Sequence, residues 1–175
     1  MNAENNLSTN PETANFVDMQ STYQMWMLKN LADTFSLGKV LSQMASNMKI
    51  LLIKGSMGVG KTTLVKAIGA NLKIIEPITS PTFALAQHYP NADPPLIHLD
   101  LYRLEDPKSA DELFLQEEEE SKNMNALMII EWPERLGVAL PEAWEMQLRM
   151  TSEGYRSAQL RSPAGGVSKK AFTSS

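Results

Sequence analysis

The chain has 175 residues, of which 43% are hydrophobic and 21% charged, and its formal net charge is −4. This length and composition are typical of one ordinary globular domain, and the acidic balance argues against a broad electrostatic nucleic-acid surface. Because the chain has no cysteine and only two histidines, disulfides, thiolate nucleophiles and Cys-ligated zinc are excluded, and a multi-histidine metal site is disfavoured.

The ends of the chain differ in composition from its middle. Residues 1–20 are rich in Asn, Thr, Ser and Glu, and residues 163–175 are small and polar, so both predict flexible tails around a domain at residues 21–162. No apolar run reaches the roughly 18 residues of a membrane span, and the first residues lack the features of a signal peptide. We therefore expect a soluble, cytoplasmic protein with no membrane partner.

The first element in the chain order is a helix. Apolar residues recur at helical spacing after residue 31 and predict an amphipathic helix at Ala32–Ala45. Asp33 and Thr34 lie near its start, where side chains that cap a helix are favoured.

Residues 49–70 read KILLIKGSMGVGKTTLVKAIGA, and they predict a strand, a loop and a helix in succession. The loop, Gly55–Thr62, matches G-x-x-x-x-G-K-[ST], the phosphate-binding P-loop. Glycines allow backbone amides to approach a polyphosphate closely, Lys61 neutralises charge on the β- and γ-phosphates, and the Thr62 hydroxyl can ligate Mg²⁺. The stretch therefore predicts binding of a nucleoside triphosphate.

The rest of the chain continues as strands and helices. Ser109 and Glu112 predict a capped helix at Ser109–Glu120, and the run Glu117–Glu120 is typical of a solvated face. Predicted strands lie at Ile74–Ile75, Leu85–His88, Leu96–Tyr102, Ala126–Ile130, Glu145–Met150 and Ala158–Arg161, the last two as a hairpin turning at Gly154. Together these elements predict an α/β domain of the P-loop NTPase type, with three layers, a mostly parallel central sheet and antiparallel additions.

A P-loop requires a second source of negative charge to hold Mg²⁺, normally a carboxylate at the end of a neighbouring buried strand. Glu131 directly follows the apolar run ALMII, and Asp100 lies within LIHLDLYR. The alternative for either residue is a capping or salt-bridge role, for instance Asp100 with Arg103.

Three other side chains near these motifs have less specific interpretations. Thr82, in the loop Ser80–Phe83, is either a contact of the γ-phosphate or its water, or a simple turn hydroxyl. His98 is interpreted as a satisfied core or edge histidine outside the catalysis. Trp132 is predicted to pack at the rim of the site.

The chain contains a combination of four motifs. In order, and at the separations found here, these are GSMGVGKTT, SPTF, HLDLYRL and EWPERLG. In this combination it resembles the bacterial TsaE (YjeE) family. Members of that family are small P-loop ATPases of tRNA N6-threonylcarbamoyladenosine biosynthesis. The resemblance covers about residues 31–158. It implies ATP and Mg²⁺ as ligands, and the TsaD and TsaB proteins as partners that carry out the transfer to adenosine 37, so that tRNA is contacted indirectly.

The resemblance also implies roles for individual residues. Lys61 would hold phosphate within the loop Gly58–Thr63 that wraps the triphosphate, which includes Val59, Gly60, Thr62 and Thr63. Thr62 and Glu131 would hold Mg²⁺, and Asp100 would be the acidic residue needed for hydrolysis, acting on water or on the outer shell of the metal. Residues near Thr34 resemble the adenine-side segment of the family. The family often has Gly-Arg in the last hairpin, whereas here Tyr155 separates Gly154 from Arg156, which leaves the role of Arg156 open.

Two other functions are alternatives to a partner-supporting ATPase. A small-molecule kinase would usually close an arginine-bearing lid over the phosphates, yet the five arginines of this chain form no cluster. A nucleotide-gated binding subunit would use ATP to order a loop for a partner without depending on hydrolysis. The lack of an arginine cluster also predicts slow hydrolysis without partners, and the absence of a guanine-reading N-K-x-D motif favours ATP.

Overall fold

The computed structural model describes residues 23–81 and 84–163; Thr82 and all but Pro163 of the two predicted tails lie outside these ranges. The described elements are β1 (Tyr23–Leu28), α1 (Leu31–Met44), β2 (Ile50–Lys54), α2 (Lys61–Asn71), β3 (Ala86–Tyr89), β4 (Leu96–Asp100), α3 (Pro107–Met124), β5 (Leu127–Glu131), β6 (Trp144–Met150) and β7 (Arg156–Arg161). Every helix in the described ranges is too short or too polar to span a bilayer.

One seven-stranded sheet runs through the domain in the order β1-β7-β6-β2-β5-β4-β3. The central strands β6, β2, β5 and β4 are parallel, whereas β3, β7 and β1 pair antiparallel at the two sides. β4 and β5 are buried along their whole length, which explains their continuous apolar runs. Their carboxyl ends, Asp100 and Glu131, are direct neighbours in the register.

Helices cover both faces of the sheet. One core joins α1 and α2 to the sheet through residues such as Leu37, Leu64 and Ile129, and the other joins α3 through Phe114 and its neighbours. Since side chains alternate across a strand, Leu96, His98 and Asp100 share the face toward α2. The predicted three-layer α/β fold with a mostly parallel sheet is therefore confirmed.

Two predictions in the first half of the chain were wrong. Residues 23–28 form the edge strand β1, which was not predicted, because among the described strands it pairs with the distant β7 alone. Ile74 and Ile75 are not part of a strand, and Ile75 is 95% exposed. The first helix begins at Leu31 with Asn30 as its cap, whose side chain accepts a hydrogen bond from Asp33 N at 3.0 Å.

The predicted start of α3 and the predicted solvation of its acidic run also require correction. The helix begins earlier, at Pro107, and its cap is Asp106 rather than Ser109. Glu117 is buried instead of solvated, and its carboxylate lies 2.6 Å from His88 Nε2 on β3. The pairing with His88 makes this burial tolerable, and it ties α3 to the edge of the sheet.

Candidate nucleotide-binding site

The P-loop connects β2 to α2 through backbone conformations that glycine adopts readily. Gly55 has φ +145°, and a Cβ on it would lie 2.6 Å from the carbonyl oxygen of Leu148. Gly60, with φ +107°, immediately precedes the first residue of α2. Residue types other than glycine are therefore strained at both positions. The loop directs the amino end of α2 toward the carboxyl ends of β4 and β5, where ligands bind in open α/β sheets.

Lys61 is the first residue of α2, and its ammonium is buried against the loop. Nζ donates hydrogen bonds to the carbonyl oxygens of Gly55 at 2.8 Å and Ser56 at 3.0 Å. It also lies 3.9 Å from the centroid of the Trp132 ring, a cation–π contact. Burial lowers the pKa of Lys61 below its usual value of 10.5, and nearby carboxylates, led by Glu131, oppose this shift. The cation is thus held in place without an ion pair of its own among the described residues.

Glu131, at the end of β5, is bonded to the start of α2. Thr62 Oγ1 donates to Glu131 Oε1 at 2.8 Å and lies 3.1 Å from Oε2. On the other side, His98 Nε2 lies 2.9 Å from the same Oε1, and the histidine is fully buried. The carboxylate is thereby fixed from two neighbouring elements. His98 lies in the core, as predicted, but it is only partly satisfied, because its buried Nδ1 has no hydrogen-bond partner among the described residues. Its contact with Glu131 makes it part of the site.

Asp100 lies beside Glu131 at the end of β4 and is also buried. Its carboxylate accepts hydrogen bonds from Ser80 Oγ and from the backbone N–H of Tyr102, the latter at 3.1 Å. Ser80 belongs to the same segment as Thr82, which was a candidate contact of the γ-phosphate. Ser80 is therefore attached to Asp100 by a side-chain contact, whereas Thr82 itself lies outside the described residues.

These groups surround an open cavity of about 350 Å³. Lys61, Thr62, Asp100 and Glu131 line it together with the P-loop glycines Gly58 and Gly60. Trp132 lines it too, in contact with the Tyr102 ring at a centroid distance of 4.9 Å. The indole therefore lies inside the site, over Lys61, and not only at its rim. In this position it shields the ammonium from water.

The other predicted binding residues are divided between this cavity and a second one. Gly55 does not line the first cavity but holds Lys61 through its carbonyl oxygen. Thr63 and Gly60 border both cavities, whereas Val59 and the buried Thr34 line only the second, of about 250 Å³. The amino end of α2 thus lies between two adjacent cavities.

The donor atoms in the first cavity fit Mg²⁺. The ion prefers hard oxygen ligands, and Thr62 and Glu131 offer a hydroxyl and a carboxylate in contact with each other. The described residues contain no group of three or more acidic, histidine or cysteine side chains placed to bind a metal. In P-loop sites, one or two protein oxygens hold Mg²⁺ together with the phosphates of the nucleotide.

Sequence reasoning assigned no site role to His98, and it placed Trp132 at the rim. The signal for His98 was its position two residues before Asp100, which puts both side chains on one face of β4. For Trp132 the sequence carries no such signal. Its backbone adopts φ +58°, and this left-handed conformation, together with the packing against Tyr102, directs the ring over Lys61.

Comparison with known proteins shows which sequences and folds this chain resembles. A family model described as "Threonylcarbamoyl adenosine biosynthesis protein TsaE" matches residues 28–159. A protein of Nostoc sp., named tRNA threonylcarbamoyladenosine biosynthesis protein TsaE, is 36% identical over 82% of this chain and 90% of its own length. A protein of the same name from Rickettsia felis is 37% identical over 75% of this chain and 76% of its own length. Another from Aquifex aeolicus is 33% identical over 62% of this chain and 76% of its own length.

A solved structure, "Crystal structure of Bacillus subtilus YdiB", has a similar fold. Its TM-score is 0.64, and the match covers 81% of this chain and 86% of that one. At 22% sequence identity this likeness concerns the fold alone.

Proposed function

The chain belongs to the TsaE family of threonylcarbamoyl adenosine biosynthesis proteins, and from that premise we propose that it is a Mg²⁺-dependent ATPase. Its role lies in the N6-threonylcarbamoyladenosine modification of tRNA, the process for which its relatives are named. The observation that carries the proposal is the first cavity, where Lys61, the Thr62–Glu131 pair and Asp100 meet at the amino end of α2. A tRNA-modifying role also implies a cytoplasmic location.

The P-loop backbone and the charged and hydroxyl side chains at the amino end of α2 have defined tasks in this proposal. Backbone N–H groups of Gly58–Thr63 bind the phosphates, and the Lys61 ammonium compensates their charge. Thr62 and Glu131 would hold Mg²⁺, and the ion would neutralise charge that develops on the β- and γ-phosphates. His98 fixes the orientation of the Glu131 carboxylate through its contact at 2.9 Å.

Asp100 is the residue we assign to hydrolysis. Water attacks the γ-phosphorus, the bond to the bridging oxygen of ADP breaks, and inorganic phosphate leaves. Asp100 acts on the attacking water or on the outer shell of the metal. Because Ser80 is bonded to Asp100, the position of Ser80 affects this carboxylate directly. Contact of Thr82 with the γ-phosphate remains a prediction.

The small number of positively charged side chains in the first cavity supports the proposal that ATP hydrolysis depends on partner proteins. Among the described residues that line it, Lys61 is the only cation, and none is an arginine. P-loop enzymes commonly need an arginine, often supplied by another protein, to stabilise the transition-state charge. We therefore propose that hydrolysis is slow in the isolated protein and is accelerated by the TsaD and TsaB proteins, which would hold the tRNA.

The experiment is a measurement of ATP turnover by the purified chain, alone and with a TsaD–TsaB pair. We expect slow turnover that rises with the pair, and a background level for Lys61→Ala under both conditions. An equal rate of ATP turnover with and without the TsaD–TsaB pair would contradict the proposed dependence on partners. Phosphate transfer from ATP to an acceptor molecule would instead indicate a kinase. If the complex modifies tRNA at an unchanged rate when ATP is not hydrolysed, the chain is a nucleotide-gated subunit.

A further inference from the structure

The two edges of the sheet differ in how they are protected from further pairing. At one edge lies β3, which has four residues and is bonded to α3 through His88 and Glu117. At the other edge lies β1, whose six residues, YQMWML, include no charged residue, proline or glycine. β1 pairs with β7 on one side, and no described strand lies on the other. Natural proteins usually protect an edge strand with charges, proline or a very short length, because its free N–H and C=O groups pair readily with another strand. β1 therefore presents an unprotected edge.

The side chains of β1 alternate between the two faces of the sheet. Trp26 and Leu28 pack in the core that is shared with α1 and α2, so Met25 and Met27 lie on the opposite face. On that face α3 packs over β4 and β5, toward the other edge of the sheet. Met25 is 41% exposed and Met27 is 46% exposed. Two flexible apolar side chains thus lie beside the free edge, on the part of the face that α3 leaves open.

Apolar side chains are also exposed on the face that α1 covers. Trp26 is only partly buried in the core below α1. Leu31 and Phe35, one turn apart at the start of α1, are exposed as well, and Leu31 follows the end of β1 by three residues. A stable interface usually buries more area than one strand pair supplies. The apolar surface near the edge, on both faces of the sheet, provides this additional area.

The sequence of β1 is symmetric around Trp26, because a methionine precedes it and another follows it. Antiparallel strands place residues of the same face opposite each other. When two copies of β1 pair about a two-fold axis at Trp26, Met25 of one copy lies opposite Met27 of the other, and the two tryptophans lie opposite each other. This pairing buries no charged side chain of β1. The edge is thus complementary to itself, which is what an interface between identical copies requires.

We propose that the chain forms a homodimer in which β1 pairs antiparallel with β1 of a second copy. The two seven-stranded sheets then continue as one sheet, and neither copy retains a free edge at β1. Leu28 and Leu31 line the second cavity, so the interface lies beside that cavity in each copy. The dimer requires neither ATP binding nor hydrolysis, and it is therefore independent of the proposed function.

Sedimentation equilibrium of the full chain, from about 1 to 100 µM, tests the dimer. We expect the wild type to approach the mass of two 19.5 kDa chains within this range. Met25→Glu combined with Met27→Glu places like charges opposite each other across the two-fold axis, and it should weaken dimerisation by about tenfold or more. Ile75→Glu combined with Leu115→Glu is the matched control, because both residues are exposed and apolar but lie outside β1 and α1. It should keep the mass of the wild type.

Charge reversal separates lost pairing from lost folding. Met25→Lys combined with Met27→Lys should also be monomeric by itself, but an equimolar mixture with the glutamate variant should dimerise, because opposite charges then face each other. Unfolded variants would not regain the dimer on mixing. A monomeric wild type would overturn the inference and leave the edge to a strand of another protein. A dimer that persists in the glutamate variant, or a mixture of folded variants that stays monomeric, would overturn it too, because the copies then do not pair through β1.

Discussion

Thr62 and Glu131, which lie 69 positions apart in the sequence, are joined by a hydrogen bond of 2.8 Å from Oγ1 to Oε1. The bond links the first turn of α2 to the carboxyl end of β5. It brings the two proposed ligands of Mg²⁺ together within a single contact. The protein ligands of the proposed magnesium site are therefore already in contact in the folded chain.

This relationship predicts how the Mg²⁺ requirement changes in a variant of Glu131. Glu131→Gln preserves the shape of the side chain but removes the charge that attracts the ion. We expect the Mg²⁺ concentration for half-maximal ATP turnover to rise by about tenfold or more. The control is Glu119→Gln on the exposed face of α3, which should leave the requirement unchanged. A Glu131→Gln protein with the Mg²⁺ titration of the wild type would exclude the residue as a ligand.

Lys61→Ala should weaken ATP binding about a hundredfold, because the variant lacks the only cation among the described residues of the first cavity. Isothermal titration calorimetry with ATP measures the effect. Lys66→Ala is the matched control, since Lys66 is an exposed lysine on the same helix and should have little influence. Unaltered affinity in the Lys61 variant would refute the assignment of the P-loop.

The cap of α3 predicts a pH-dependent contribution to stability. Hydrogen bonds from the Ser109 hydroxyl, and then from the backbone N–H groups of Lys108 and Ser109, lower the pKa of Asp106 below its usual 3.8. Because the folded state favours the carboxylate, the stabilisation is complete above pH 3.8 and is lost as the pH falls through the lower folded pKa.

Asp106→Ala should therefore unfold at a lower urea concentration than the wild type near neutral pH, and the difference should shrink below about pH 3. Asp106→Asn serves as the control, since it keeps a capping oxygen without the charge. It should be intermediate near neutral pH. A difference between wild type and alanine variant that stays constant with pH would contradict this account.

Gly38 lies where α1 and α2 cross. A Cβ on Gly38 would approach the Cβ of Ala67 to 2.5 Å and its backbone carbonyl carbon to 2.6 Å. Within an exposed helix, alanine is preferred over glycine by about 1 kcal/mol. At this crossing, we expect the clash to reverse the sign, so that Gly38→Ala lowers the free energy of unfolding by about 1–3 kcal/mol.

Urea denaturation of Gly38→Ala measures this effect. Ser36→Ala, on the exposed side of the same helix, is the comparison and should change stability by less than about 0.5 kcal/mol. Stabilisation by the Gly38 substitution would show that the two helices can separate without cost.

Local sequence patterns were sufficient to predict the P-loop, the helix after it and the buried strands. The P-loop was predictable because its conformation depends on glycines at fixed spacing, and the helix predicted after it within residues 49–70 is α2, Lys61–Asn71. The apolar runs before Asp100 and Glu131 predicted buried strands, and parallel strands place their carboxyl ends at one edge of a sheet. That rule predicts that these two carboxylates lie side by side, as they do.

Other features depend on segments far apart in the chain. Nothing within Tyr23–Leu28 identifies an edge strand, because β1 is stabilised by pairing with β7. Glu117 looks solvated within its acidic run, and only the packing of α3 beside β3 brings it to His88. The sequence by itself determined the phosphate loop and the buried strands, since backbone conformation and burial are read from neighbouring residues. The tertiary structure decided the partners of His98 and Trp132, because their contacts lie on elements that are distant in sequence and that only the folded sheet brings together.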